Sequence, residues 1–112
     1  HAAAAMASNL YVGLANMCEQ MLRDCGFSAA NAHRALSPLM IGNTENIIQY
    51  GPVGALTGPI ERNDLTTVMD HLESLSEQEQ KVYKILSGEV INVAKMKHPE
   101  RDYSEMERML NS

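Results

Sequence analysis

Residues whose side chains could perform acid–base, metal or nucleophilic chemistry are few and widely separated in this sequence. The four histidines lie on different predicted elements, and none has a Cys, Asp or Glu partner at the spacing that a metal site needs. No serine or cysteine has a sequence context that would strain or expose it as a nucleophile. We therefore expect neither a metal site nor a self-contained catalytic constellation.

Two polar stretches are candidate ligand contacts. Thr57 and Arg62 flank the second of two Gly-Pro corners, where Gly58 lets the backbone approach a ligand closely. The glycines of this stretch lack the spacing of a phosphate loop, and no strand precedes them. Thr44 and Asn46 belong to a polar patch on a predicted helix, which faces either solvent or a ligand.

Length, charge and cysteine content narrow the class of protein. A chain of 112 residues forms one domain, which we predict to span residues 1–112. Its net charge of −5 and the absence of a Lys and Arg cluster exclude a nucleic-acid-binding surface. Cys18 and Cys25 lie about 10 Å apart on one predicted helix, too far for a disulfide. Reduced thiols of this kind indicate a cytoplasmic protein.

A predicted first helix of about 24 residues, which starts at the beginning of the chain and ends at Gly26, should position the rest of the chain. At ~1.5 Å per residue it is roughly 36 Å long, about the diameter of the whole domain, so we expect a long central helix. Ser8, Asn9 and Asn16 interrupt its apolar run, which argues against a membrane span. Two neighbouring apolar rows predict burial on several sides. The rows are Met6, Leu10, Leu14, Met17 and Met21, and Tyr11, Ala15, Cys18, Leu22 and Cys25.

Local signals predict the next helices. Gly26 can take the left-handed conformation that ends a helix. Ser28 then caps a short second helix that reaches residue 35 or 36. Pro38 suits the first position of a third helix, which stops at Gly51 because the residue before a proline avoids helical geometry.

Capping signals in the second half of the sequence predict three more helices. Asp64, or Asn63 before it, caps a helix over residues 65–75. Ser76 with Glu79 forms a capping box for a fifth helix that reaches about residue 97, and Ser104 with Glu107 repeats the pattern for a short last helix. No segment alternates with period two, so the fold class is all-α. The predicted core stripe of the fifth helix is Val82, Leu86, Val90 and Val93, widened by Ile85 and Ala94.

Three stretches carry a resemblance to a known family: H-A-A-A-A-M-A-S-N-L, G-N-T-E-N-I and G-P-V-G-A-L-T-G-P-I-E-R-N-D. Over roughly residues 1–97 the chain resembles the C-terminal domain of unknown function in bacterial Rossmann-like NAD(P)-dependent oxidoreductases. The resemblance implies a multi-helix fold similar to the C-terminal domains of 6-phosphogluconate dehydrogenase-like enzymes, including ketopantoate reductase and pyrroline-5-carboxylate reductase. It also implies a preceding Rossmann domain in the parent protein, and a chain that begins at His1 in mid-helix agrees with this expectation.

The resemblance also implies site residues. Many 3-hydroxyacid dehydrogenases of this superfamily place a lysine and, one turn later, an asparagine on the first helix. Asn9 matches the asparagine, but Ala5 occupies the lysine position. His1 is the candidate replacement, because an imidazole titrates near neutrality and helical spacing puts His1, Ala5 and Ser8 on one face. We predict His1 and Asn9 as catalytic residues. The predicted substrate-binding residues are Ser8, Thr57, Gly58, Arg62, Thr44 and Asn46.

Two functions stay open at this point. The first is the substrate-binding and dimerisation domain of an NAD(P)-dependent oxidoreductase, inactive without its nucleotide-binding domain. The second is a non-catalytic helical dimerisation or regulatory module, which Ala5 in place of a lysine favours. In both cases we expect a homodimer that contacts neither nucleic acid nor membrane. The chain has no Gly-rich turn between a strand and a helix, so NAD or NADP would bind to the full-length protein and not to this domain alone.

Overall fold

Helices make up all of the regular structure, and no strand is present. The structure, a computed structural model, describes residues 1–112. Its helices are α1 (Ala2–Ala7), α2 (Asn9–Asp24), α3 (Ala29–Ala55), α4 (Leu65–Ser74), α5 (Glu77–Lys97) and α6 (Ser104–Leu110). The chain divides into two compact units, residues 1–43 and residues 44–112, and α3 contributes to both. The predicted all-α class is confirmed.

The predicted first helix is interrupted at Ser8. This residue has φ −124° and ψ −83°, which separates α1 from α2. Its hydroxyl donates to the Ala4 carbonyl at 2.6 Å, and such bonding to the preceding turn bends helices. No residue of α1 or α2 is buried. The structure therefore corrects the prediction of an unbroken, buried central helix, since no residue of the apolar rows is fully buried within this chain.

The connection from α2 to α3 forms as predicted. Gly26 has φ 102°, and its N–H donates to the Arg23 carbonyl while the N–H of Phe27 donates to the Leu22 carbonyl. This pair of bonds is a Schellman motif, which satisfies the last carbonyls of the helix. The Ser28 hydroxyl accepts from an N–H of the next turn at 3.1 Å and starts α3. Backbone chemistry within six residues is enough to fix this turn.

The second and third predicted helices are one continuous helix. Pro38 lies inside α3 with helical geometry around it, and the Ser37 hydroxyl donates to the His33 carbonyl at 2.7 Å. A proline within a helix removes one hydrogen bond and clashes with the preceding turn, yet here the helix continues. Gly51, with φ 74° and ψ 171°, is the only residue of α3 outside the helical region. The predicted corner at Gly51 is therefore confirmed, and the predicted start at Pro38 is wrong.

Local capping fixes the bounds of α4 and α5. The Asp64 carboxylate accepts from the N–H of Thr67 at 3.1 Å, and also from its hydroxyl at 2.7 Å. These donors, the hydroxyl first, hold the pKa of Asp64 below its usual range. The Ser76–Glu79 capping box forms in both directions. The second predicted box is wrong, because Ser104 lies inside α6 and donates instead to the Asp102 carboxylate.

The hydrophobic core lies in the second unit. Most of its buried members come from α4, α5 and α6, and the last helix packs on the core through buried Met106 and Leu110. On α5 the fully buried positions are Ser87, Ile91 and Ala94, whereas Ile85 is exposed. The predicted stripe is therefore confirmed at Ala94, and at Val90, which packs against the core, whereas Ile85 and Leu86 of the same stripe are exposed. The core cluster comprises Ile60, Val68, Leu72, Ile91, Ala94, Tyr103, Met106 and Leu110.

Candidate functional site

Of the predicted catalytic residues, His1 precedes α1, whereas Asn9 begins α2 next to Ser8, at the break between the two helices. His1, Ser8 and Asn9 are all exposed. The Ser8 hydroxyl donates its hydrogen to the Ala4 carbonyl, so it can offer a ligand only its acceptor lone pairs. The side chains of His1 and Asn9 make no hydrogen bond or ion pair. Of these three polar side chains, only that of Ser8 is hydrogen-bonded within the chain.

The predicted substrate contacts of the second unit share an irregular segment, residues 56–64, here called the corner loop. Gly58 has φ 112°, a conformation that favours glycine, and the loop turns there. Thr57 and Arg62 are exposed, and neither side chain makes a hydrogen bond or an ion pair. The structure thus brings Thr57, Gly58 and Arg62 together on one loop.

The two remaining predicted contacts lie on α3, at the start of the second unit. Thr44 is half-buried and Asn46 is exposed. The predicted cleft would join these residues and the corner loop to Ser8 and Asn9 of the first unit. That cleft stays a prediction, as do the roles of all eight site residues.

Side chains from the segment after α5 hold the corner loop in place. The Glu61 carboxylate lies 2.7 Å from a guanidinium nitrogen of Arg101 and 3.1 Å from His98 Nε2. The main-chain carbonyl of Glu61 accepts from the Tyr103 hydroxyl at 2.7 Å and from Arg101 at 3.1 Å. Lys97 donates to the Leu56 carbonyl at 2.7 Å. The most densely bonded polar cluster of the second unit is therefore at this loop.

Sequence reasoning missed this cluster. Glu61 and its partners lie about 40 residues apart in the chain, so no helical or turn spacing relates them. The one local signal was the H-P-E-R-D-Y run, which places a histidine, an arginine and a tyrosine directly after a predicted helix end. That signal indicates a polar contact but does not name its partner.

Two other histidines also join separate helices. His33 of α3 lies 2.8 Å from the Glu19 carboxylate of α2 within the first unit. His71 of α4 lies 2.9 Å from the Tyr83 hydroxyl of α5, with the two rings edge to face. Burial raises the pKa of that tyrosine. The first contact ties α2 to α3, and the second ties α4 to α5.

Neither a concavity nor a metal-ligand cluster gives a second candidate site. A hollow of about 90 Å³ lies between α5 and α6, well below the roughly 300 Å³ at which ligand pockets begin. It includes Lys84, whose ammonium donates to the Ser112 carbonyl, and none of the predicted site residues. No group of three or more His, Cys, Asp or Glu side chains could hold a metal ion. No helix is both long enough and apolar enough to cross a bilayer.

A family model matches residues 1–90 of the chain, and its description is "Domain of unknown function (DUF2520)". The chain belongs to this family. The match spans α1 to α4 and most of α5, and therefore includes every predicted site residue of the DUF2520 domain. His98, Arg101 and Tyr103, which hold the corner loop, lie beyond it. No curated protein and no solved structure matches the chain.

Proposed function

We propose that this DUF2520 domain is the substrate-binding and dimerisation domain of an NAD(P)-dependent oxidoreductase, with a fold like that of the 6-phosphogluconate dehydrogenase C-terminal domains. The observation that carries the proposal is the apolar face that α1 and α2 leave open. Met6, Leu10 and Leu14 follow one another at four-residue steps and are 63, 60 and 37% exposed. A row of exposed apolar side chains of this kind is typical of protein interaction sites.

A second copy of the chain is the partner that suits this face. Residues 2–18 contain no charged side chain, although the whole chain carries a net charge of −5. Two copies that meet through these residues therefore bring no like charges into contact. The first unit has only one fully buried residue, Ala32, so further burial has much to contribute. An interface of about 2,000 Å² would offer a gross gain of the order that stable dimers need.

The proposed substrate site follows from the family resemblance and from unengaged polar groups. His1 and Asn9 would act on the reacting centre, and Arg62 with Thr57 would bind the substrate from the corner loop. NAD or NADP would be held by a separate Rossmann domain, which places its pyrophosphate at a Gly-rich turn after a strand. This domain has no such turn, so it would not act alone. A cytoplasmic location accords with two unpaired cysteines.

Size exclusion with light scattering tests the dimer. At micromolar concentration we expect a mass twice the 12.4 kDa of one chain. Leu10→Asp should shift the protein toward monomer, because it buries a charge in the proposed interface. The matched control is Ile85→Asp on α5, which alters a side chain that is 75% exposed and distant in sequence. A monomer mass that persists as concentration rises refutes the dimer.

Turnover by the intact protein tests the oxidoreductase role and separates it from a non-catalytic module. We expect oxidation of NADH or NADPH with a carbonyl or imine substrate, and a higher KM in Arg62→Ala. Ala5 in place of a lysine favours the module, which predicts dimerisation without any turnover. A dimer that binds NAD(P)H in its Rossmann domain yet reduces no substrate would support the module.

A further inference from the structure

Glu61 is the most heavily engaged residue of the corner loop. Its side chain is only 13% exposed, and one carboxylate oxygen accepts hydrogen bonds from both Arg101 and His98. Because a carboxylate only accepts, His98 Nε2 must carry a hydrogen in this contact. The same guanidinium nitrogen of Arg101 also reaches the Glu61 carbonyl, beside the Tyr103 hydroxyl. One loop residue is therefore fixed by four contacts from residues 98–103.

The two ends of the corner loop are fixed as well. At its start, the Lys97 ammonium donates to the Leu56 carbonyl. Near its end, the Asn63 amide donates to the Asp102 carbonyl at 3.1 Å. Asn63 has φ 57°, an uncommon conformation for a residue other than glycine, and it persists only where the surroundings hold it. The whole loop is thus attached to the end of α5 and the segment that follows.

Two other side chains of the corner loop, those of Thr57 and Arg62, form no contacts of this kind. Thr57 and Arg62 are exposed and their side chains make no hydrogen bond or ion pair, although Arg62 lies close enough to Asp64 for its charge to help lower the pKa of that carboxyl. A backbone that is already fixed loses little conformational freedom when a ligand binds, so the cost of ordering falls mainly on the two side chains. Such preorganisation is what a binding loop requires.

We propose that Glu61 is a positioning residue, which holds the corner loop so that Thr57 and Arg62 present their polar groups in one fixed arrangement. The part of this inference that concerns substrate rests on the proposed function, whereas the part that concerns the loop does not. Glu61 itself faces Arg101 and His98 and is too buried to meet a ligand directly.

Amide hydrogen exchange on the 112-residue chain tests the positioning. The N–H groups of Arg62, Asn63 and Asp64 are hydrogen-bonded within the loop, and the N–H of Gln80 at the start of α5 serves as a reference. Glu61→Gln keeps the size of the side chain and removes its charge. We expect exchange about tenfold faster at the three loop amides and unchanged at Gln80, because the loop opens locally.

The matched control is Glu100→Gln. Glu100 is another carboxylate beside His98, at 3.6 Å from Nδ1, but it contacts nothing in the loop. We expect exchange in this variant to match the parent chain at all four amides. Arg101→Met is a second variant, which keeps much of the side-chain length and removes both hydrogen bonds to Glu61. It should reproduce the effect of Glu61→Gln. Equal exchange in Glu61→Gln and Glu100→Gln, or faster exchange at Gln80 and the loop alike, would overturn the inference.

Kinetics of the intact protein separate this inference from the proposed function. If the loop binds substrate, Glu61→Gln should raise KM several-fold while kcat changes less, since the reacting residues lie elsewhere. A merely structural role would lower the amount of active protein and leave KM unchanged. A loosened loop with unchanged KM would uphold the positioning by Glu61 and refute the assignment of Thr57 and Arg62 to the substrate.

Discussion

Replacement of Met106 by alanine should destabilise the second unit strongly. Met106 is fully buried in the core between α5 and α6, whereas Met96 on α5 is 60% exposed and provides a matched control. The substitution removes three heavy atoms, which is worth about 2.4 kcal/mol at ~0.8 kcal/mol per methylene. The remaining cavity adds to this, and buried Met→Ala changes cost about 2 to 5 kcal/mol overall. We expect about 3 kcal/mol.

That loss is large relative to the stability of a domain of this size, which is on the order of 5 to 15 kcal/mol. Urea denaturation followed by circular dichroism measures it. With a slope of about 2 kcal/mol per M, the midpoint should fall by about 1.5 M, and the melting temperature by roughly 10 to 20 °C. Protein concentration is held constant, because dimerisation would otherwise alter the apparent stability.

Met96→Ala should change the free energy of unfolding by less than about 0.5 kcal/mol. Equal losses in the two variants would refute the assignment of the core to α4, α5 and α6. A loss below about 1 kcal/mol in Met106→Ala would do the same, since it would mean that the helices close over the vacated volume or never enclosed it.

Three further predictions concern the caps, acid stability and the cofactor. Ser76→Ala should cost about 1 kcal/mol in chemical denaturation, and Ser76→Gly only a few tenths, because glycine tolerates the cap position; equal costs would contradict the cap. The pKa of Asp64 is lowered in the folded protein, so its charge stabilises the fold above the usual aspartate pKa of about 3.9. This stability is lost as the pH falls through the pKa of the folded state, and Asp64→Asn should flatten that decline in acid denaturation. Calorimetric titration of the 112-residue chain with NADH and NADPH should show no saturable binding, and micromolar binding would contradict the assignment of the cofactor to another domain.

The turns and caps of this chain could be predicted because their chemistry is local. Gly26 and Gly51 adopt positive φ, and Ser28, Asp64 and Ser76 cap helices as expected. Each signal depends on atoms within about six residues, so the tertiary environment has little influence on it. Family membership was accessible for the same reason, since the distinctive stretches are contiguous in sequence.

Besides the Ser104–Glu107 capping box, two local predictions failed because the same residues allow more than one geometry. Pro38 can begin a helix or interrupt one, and here α3 continues through it. Ser8 can lie on a helix surface or bond back to the preceding turn, and here it separates α1 from α2. A proline inside a helix costs about 3 kcal/mol relative to alanine and a serine less than about 1 kcal/mol, amounts that tertiary context can override.

Only the tertiary structure decided which surfaces pack and which polar groups meet. The α5 helix has apolar side chains on several faces, and the choice of Ser87, Ile91 and Ala94 depends on where α4 and α6 lie. Tyr103 was not expected in the core, yet it is buried and its hydroxyl reaches the Glu61 carbonyl 42 residues away. A sequence specifies the order of its residues but not the distance between two that are 40 positions apart, so contacts of this length arise only when the helices between them are placed.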